Sequence, residues 1–71
     1  MSLNYAYNYA YVDPDTHMCF EVRSSTDDYL NGEENWVAIP VNDEDYVGKF
    51  YIDGNWYEDP AGTIPWQSSM L

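Results

Sequence analysis

Basic residues are scarce in this sequence. Arg23 and Lys49 are its only Arg and Lys, against thirteen Asp and Glu, and the formal charge of the 71-residue chain is −11 at pH 7. A surface of that sign repels nucleic acid and anionic lipid, which proteins bind through clustered Lys and Arg. We therefore expect no direct contact with nucleic acid or membrane. The charge is explained by solubility or by adaptation to a salty setting, and the alternative is an acidic decoy that occupies a basic site on another protein.

Cysteine and long apolar runs are also nearly absent. Cys19 is the only cysteine, which excludes a disulfide within the chain, and the single His17 leaves no cluster of zinc ligands. No apolar run approaches the roughly 20 residues that span a bilayer, and no charged and then apolar leader is present. Residues 1–3 are interpreted as derived from expression, and we expect no export signal.

The sequence lacks the common motifs of catalysis and metal binding. It contains no Gly-x-Ser-x-Gly elbow and no phosphate-binding glycine loop. Asp13 and Asp15 near His17 are explained better by a turn than by a calcium site, and "NDED" at 42–45 by a capped helical turn. A chain of this length also leaves little room for a cleft that encloses a substrate. We expect a non-enzymatic protein without metal or cofactor.

Aromatic side chains with a polar tip are abundant. Eight Tyr and three Trp stand against two Phe, and such residues suit half-wet surfaces and interfaces. In "NYAYNYAYV" at 4–12, tyrosine alternates with Asn and Ala, which is the period of a strand. The rings that share one face are those of Tyr5, Tyr7, Tyr9 and Tyr11. We expect packing to shield them from water, within one molecule or between copies, while the flat opposite face permits close approach of another layer.

The pattern predicts an all-β protein, a small antiparallel sheet of two hairpins with one helical turn. Residues 4–12 and 18–24 form the first hairpin, joined by the turn sequence "DPDTH". Alternation in the second strand directs Met18, Phe20 and Val22 toward the core.

A loop is predicted to follow, and after it either an edge strand or an extended segment packed on the core. Residues 24–35 are polar and contain an Asn-Gly pair, and "WVAIP" at 36–40 is a short apolar run that proline ends. Asn42 is expected to cap one helical turn through "DEDY", since its side-chain oxygen accepts free amide hydrogens.

The second hairpin has the strongest local signal, "KFYIDGNWYE" at 49–58. Asp53-Gly54 suits a two-residue turn, because both central positions need positive φ. The resulting register predicts a Tyr51–Trp56 aromatic pair, a Lys49–Glu58 ion pair, and Phe50 with Ile52 against the core.

The aromatic pair of this hairpin has two interpretations. Tyr51 and Trp56 beside Asn55 are residue types that stack on sugar rings and bind their hydroxyl groups, so they form a candidate ligand platform. The alternative is that these rings complete a small core or an oligomer interface.

Residues 4–59 are predicted to form a single antiparallel β domain, and residues 60–71 an extended arm. Two prolines and a glycine in the arm exclude a helix and a central strand. Ile64 and Trp66 are too apolar for a free tail, so we expect the arm to dock on its own core or on a neighbouring subunit.

From "DEDYVGKFYIDGNWYED" the chain resembles short β proteins of tailed bacteriophages and prophages, in which Asp-x-x-Tyr-x-Gly-Lys-x-Tyr followed by Gly-x-Trp recurs. The matching residues are Asp43, Tyr46, Gly48, Lys49, Tyr51, Gly54 and Trp56. The opening "YAYVDPDTHMCFEV" is similar to the start of such proteins, and the resemblance covers about half the chain. It implies a virion-associated or accessory phage protein, commonly oligomeric, found in the virion or the host cytoplasm.

These observations lead to three hypotheses of function. The first is a phage structural or tail-associated protein that assembles with itself or with another virion protein. Its candidate contact residues are Tyr5, Tyr7, Tyr9, Tyr11 and Trp66. The second is an acidic inhibitor or nucleic-acid mimic that binds a basic host protein. The third is a small carbohydrate-binding module that uses Tyr51, Trp56 and Asn55.

Overall fold

The computed structural model describes residues 7–71, which form a β-rich fold with one 3-10 helical turn. The elements are β1 (Tyr7–Val12), β2 (Cys19–Ser25), β3 (Trp36–Ile39), the 3-10 turn (Glu44–Tyr46), β4 (Phe50–Ile52) and β5 (Asn55–Tyr57). They make two antiparallel sheets, one of order β2-β1-β3 and one of β4-β5. The predicted fold class is confirmed.

The first sheet is built around β1. Its hairpin with β2 and its pairing with β3 place Ala10 opposite Val22 on one side and Val37 on the other. At the hairpin turn, the Asp13 carboxylate accepts hydrogen bonds from the backbone N–H groups of Asp15 and Thr16, at 2.7 and 3.0 Å. The predicted first hairpin and the predicted edge strand at β3 are both confirmed.

A β-bulge in β2 changes which of its side chains are buried. Tyr11 lies opposite Glu21. The next residue of β1 lies opposite Cys19, so Phe20 is an extra residue without a partner on β1. Cys19 is fully buried as a result, and Phe20 is 50% exposed. The expectation that Phe20 faces the core is wrong, because strict alternation does not survive a bulge.

The core lies on the face of β1 that carries alanine. Its buried cluster is Ala10, Cys19, Ile39 and Tyr46, and the half-buried residues packed against it are Val22, Val41, Trp56 and Trp66. Ala10 is fully buried, so its small side chain allows the layer above to approach β1 closely. Side chains from both sheets meet here.

The second hairpin has the predicted turn and register. Asp53 and Gly54 have φ values of 50° and 85°, as a two-residue turn with two positive φ angles requires. Tyr51 lies opposite Trp56, with ring centroids 5.0 Å apart. Backbone hydrogen bonds then join the hairpin to the start of β2. The Cys19 N–H donates to the Lys49 carbonyl at 2.8 Å.

Two details of this hairpin differ from expectation. Lys49 and Glu58 form no ion pair; the Lys49 ammonium lies 5.0 Å from the ring centroid of Trp66 instead, where it meets the negative face of the indole. The prediction of which face of this hairpin lies against the core is also wrong. Trp56 packs against the core cluster, and Phe50 and Ile52 are half-buried outside it.

The 3-10 turn is capped by Asp43, whereas the sequence predicted Asn42. The Asp43 carboxylate accepts a hydrogen bond of 2.9 Å from the backbone N–H of Asp45. Asn42 is exposed, and it lies one residue before the N-cap position.

The C-terminal arm docks on its own core, which confirms one of the two expected modes. Residues 64–66 run beside β5: the Trp66 N–H donates to the Trp56 carbonyl at 2.9 Å, and the Glu58 N–H donates to the Ile64 carbonyl at 2.8 Å. Farther along, the buried Ser68 hydroxyl donates to the Asp43 carboxylate. We call this contact the Asp43–Ser68 clamp.

Candidate binding surfaces

The tyrosines of β1 lie on the face opposite the core. Tyr9 is buried, Tyr11 is half-buried and Tyr7 is 38% exposed. Tyr5, also predicted on this face, lies outside the described residues. Shielding within one molecule therefore accounts for two of these rings and leaves that of Tyr7 accessible.

A polar contact with the loop after β2 holds Tyr9. Its hydroxyl donates a hydrogen bond to the Asp28 carboxylate. This hydrogen bond raises the pKa of Tyr9 to about 12, because a phenolate would lose the bond and face a second negative charge. The Tyr9 hydroxyl therefore already has a hydrogen-bond partner within the chain.

Tyr11 and Trp36 form a second shielded pair on the same face. Their ring centroids lie 5.2 Å apart in an edge-on arrangement, and the Arg23 guanidinium carbon lies 5.2 Å from the Trp36 ring centroid. Sequence reasoning found no partner for Trp36. The register of β3 against β1, which places Trp36 opposite Tyr11, supplies it.

The outer edge of β3 is open within residues 7–71. The Val12 N–H donates to the Asn35 carbonyl at 2.9 Å, and hydrogen-bonded pairs alternate in an antiparallel ladder. Val37 and Ile39 therefore direct their peptide groups toward β1, and Ala38 directs its N–H and C=O away from it. Edge strands are commonly protected by charged side chains, bulges, proline or short length; β3 has no charged residue and no bulge, and its protection is its length of four residues and the following Pro40.

A groove of about 290 Å³ forms a separate surface between β5, the arm and the segment after β3. Its lining residues are Pro40, Tyr46, Gly54, Asn55, Trp56, Trp66, Gln67, Ser68 and Leu71. All belong to the described part of the chain, and none carries a charged side chain. The thirteen acidic residues of the chain lie outside this lining.

Three aromatic rings form the inner wall of the groove. The buried Tyr46 ring lies 4.9 Å from Trp56 and 4.8 Å from Trp66 between centroids, edge-on in both cases. Of the predicted ligand platform, Trp56 and Asn55 line the groove, and Tyr51 packs on Trp56 beside it.

Sequence reasoning missed Trp66 as a member of this wall. Its alternation with Ile64 is the available signal, since such a segment can pair with β5 and place Trp66 next to Trp56. That signal is short, and the flanking prolines obscured it.

The Asp43–Ser68 clamp fixes the arm against the 3-10 turn. Hydrogen bonds from the Ser68 hydroxyl and then from the Asp45 N–H lower the pKa of Asp43, because both favour the charged carboxylate. Asp43 is therefore ionised in the clamp at neutral pH. The clamp holds the end of the arm over the groove.

Reactive groups are sparse in the described part of the chain. No group of three or more His, Cys, Asp or Glu residues there is placed to hold a metal ion. Burial raises the pKa of the Cys19 thiol, which disfavours the thiolate that a nucleophile needs. Within the same residues, no helix has the length and hydropathy to cross a bilayer.

Comparison with known protein families, curated proteins and solved structures gives no significant match. The resemblance to phage proteins accordingly stays a prediction. The open β3 edge, the tyrosine face of β1 and the groove are the candidate functional surfaces.

Proposed function

We propose that this protein is a non-enzymatic module that acts through protein–protein contact and assembles with copies of itself. The observation that carries the proposal is the open edge of β3. Its outward peptide group, at Ala38, has no hydrogen-bond partner among residues 7–71. An extended segment of a second molecule would satisfy it by strand addition.

The geometry of the edge favours pairing of two identical strands. Around a two-fold axis, Ala38 of one copy lies opposite Ala38 of the other, and the two residues exchange N–H···O=C bonds. The two β2-β1-β3 sheets then form one continuous sheet. The four residues of β3 and the following Pro40 limit the length of this ladder, so we expect weak, concentration-dependent association.

Side chains on the tyrosine face extend the proposed contact. Tyr7 is exposed, and Trp36 lies on β3 itself. Tyr9 and Trp66, which the sequence also suggested as contact residues, have partners within the chain and contribute indirectly by holding their segments in place.

Charge sets the expected salt dependence. Two copies of a chain with formal charge −11 repel one another, so screening should strengthen self-association. An acidic inhibitor bound to a basic protein would show the opposite dependence.

A virion is the setting that the phage resemblance implies, and neighbouring genes that encode tail or baseplate proteins would support it.

Sedimentation velocity over a micromolar concentration series tests the proposal. We expect dimers whose population rises at about 1 M salt, where the screening length is about 3 Å. Ala38→Pro should be a folded monomer, since proline removes only the outward N–H. Ala38→Ser, which keeps that donor, is the matched control and should dimerise. A wild-type monomer at every salt concentration, or an Ala38→Pro dimer, would contradict the proposal.

A further inference from the structure

The groove beside Trp56 and Trp66 supports an inference that is independent of self-association. We propose that it binds an uncharged carbohydrate of one or a few rings. Its volume of about 290 Å³ lies just below the range of about 300–1,000 Å³ for small-molecule sites. A folded partner would not enter it.

The first argument is the charge of the lining. None of the nine lining side chains is charged near neutral pH, although the chain carries thirteen acidic residues. A ligand with phosphate, sulfate or carboxylate groups would meet the repulsive field of the whole protein, and no basic side chain lines the groove; Lys49 lies over the Trp66 ring but is not among the lining residues. A neutral ligand meets no such opposition.

The second argument is the pairing of apolar and polar groups. A sugar ring has an apolar face of C–H groups and a rim of hydroxyl groups. The indoles of Trp56 and Trp66 offer an apolar wall, and the amides of Asn55 and Gln67 offer both donors and acceptors at its border. The carboxamides are exposed, so they can reach a ligand without rearrangement of the core.

The third argument is that the wall is already rigid. Trp66 is fixed by its backbone bond to Trp56 and by edge-on contact with the buried Tyr46 ring. The Asp43–Ser68 clamp holds the segment that follows. A wall that is ordered before binding loses little conformational entropy when the ligand arrives.

A proline-rich peptide is the main alternative occupant, because such peptides also bind aromatic grooves. The lining favours a sugar. Two of its exposed side chains, those of Asn55 and Gln67, can donate and accept hydrogen bonds, which suits a ligand rich in hydroxyl groups.

Titration calorimetry and tryptophan fluorescence on the full chain test the inference. The probes are neutral tetrasaccharides of β-1,4-linked glucose, β-1,4-linked N-acetylglucosamine and α-1,4-linked glucose, together with an oligogalacturonate and an uncharged proline-rich peptide. We expect saturable binding of at least one neutral tetrasaccharide and no binding of the oligogalacturonate. Binding of the peptide or the oligogalacturonate in place of the neutral sugars would overturn the inference, as would no binding at all.

Exposed variants locate the site without unfolding the protein. Asn55→Ala and Gln67→Ala should each weaken binding of the responding sugar about threefold to tenfold, the loss expected for one hydrogen bond. Asn31→Ala removes an exposed amide outside the groove lining and should bind like the wild type. Unchanged affinity in both groove variants would place the sugar elsewhere and refute the proposed site.

Discussion

Removing the indole of Trp66 should destabilise the whole domain, although the residue lies near the end of the chain. Replacing a fully buried tryptophan with alanine costs about 3–5 kcal/mol. Trp66 is half-buried, with the Tyr46 ring 4.8 Å away and the Lys49 ammonium 5.0 Å from its ring centroid. We therefore expect Trp66→Ala to lower the free energy of unfolding by about 2–3 kcal/mol.

That loss is large for a protein of this size. A domain of 71 residues has a total stability on the order of 4–10 kcal/mol. Each kcal/mol corresponds to roughly 4–8 °C in Tm for such a domain, so the melting temperature should fall by about 10–20 °C. Urea and thermal unfolding followed by circular dichroism measure both quantities.

Two further variants make the result interpretable. Trp66→Phe keeps a ring against Tyr46 and should lose less than Trp66→Ala. Met70→Ala alters an arm side chain that is 60% exposed and should change stability by no more than about 0.5 kcal/mol. If Trp66→Ala were as stable as Met70→Ala, the arm would not belong to the folded unit, and the packing argument would be refuted.

Three other predictions address the bulge, the clamp and the tyrosine face. Ile39→Ala, in the core, should cost about 2–4 kcal/mol in urea unfolding, whereas Phe20→Ala, at the bulge, should cost less than about 1 kcal/mol; equal losses would contradict the bulge. The lowered pKa of Asp43 stabilises the fold at pH values above 3.8, the ordinary pKa of the group, and this stabilisation is lost as the pH falls below 3.8. Ser68→Ala should reduce the loss of stability in acid unfolding, and an identical acid profile would contradict the clamp. The raised pKa of Tyr9 stabilises the fold below pH 10.0, and this stabilisation is lost as the pH approaches about 12. Tyr9→Phe should therefore flatten the alkaline stability profile. An unchanged profile would argue against the Tyr9–Asp28 hydrogen bond.

Local signals in the sequence predicted the elements well. Asp-Gly between aromatic runs indicated the turn and register of β4 and β5, because few residues other than Gly, Asn and Asp tolerate positive φ. Alternation indicated β1, and a short apolar run ended by proline indicated the edge strand β3. Each of these features depends on neighbouring residues alone.

Features that depend on distant residues were predicted less well. The bulge at Phe20 arises where β2 must pair with β1 and also join the second hairpin through Cys19. The cross-strand register predicted an ion pair between Lys49 and Glu58. Lys49 instead contacts Trp66, which belongs to the arm. Four of the nine residues that line the groove likewise come from that arm. Pairing of a short segment with a strand seven or more residues earlier leaves little trace in local composition.

Hydrogen exchange at the Ala38 amide tests the central claim, assembly through the β3 edge, most directly. In the monomer this N–H points away from β1, whereas those of Val37 and Ile39 bond to it. NMR-detected exchange at increasing protein concentration should show Ala38 changing from fast to protected, with Val37 and Ile39 protected throughout. Exchange at Ala38 that stays fast at every concentration, or is slow in the dilute monomer, would contradict the account.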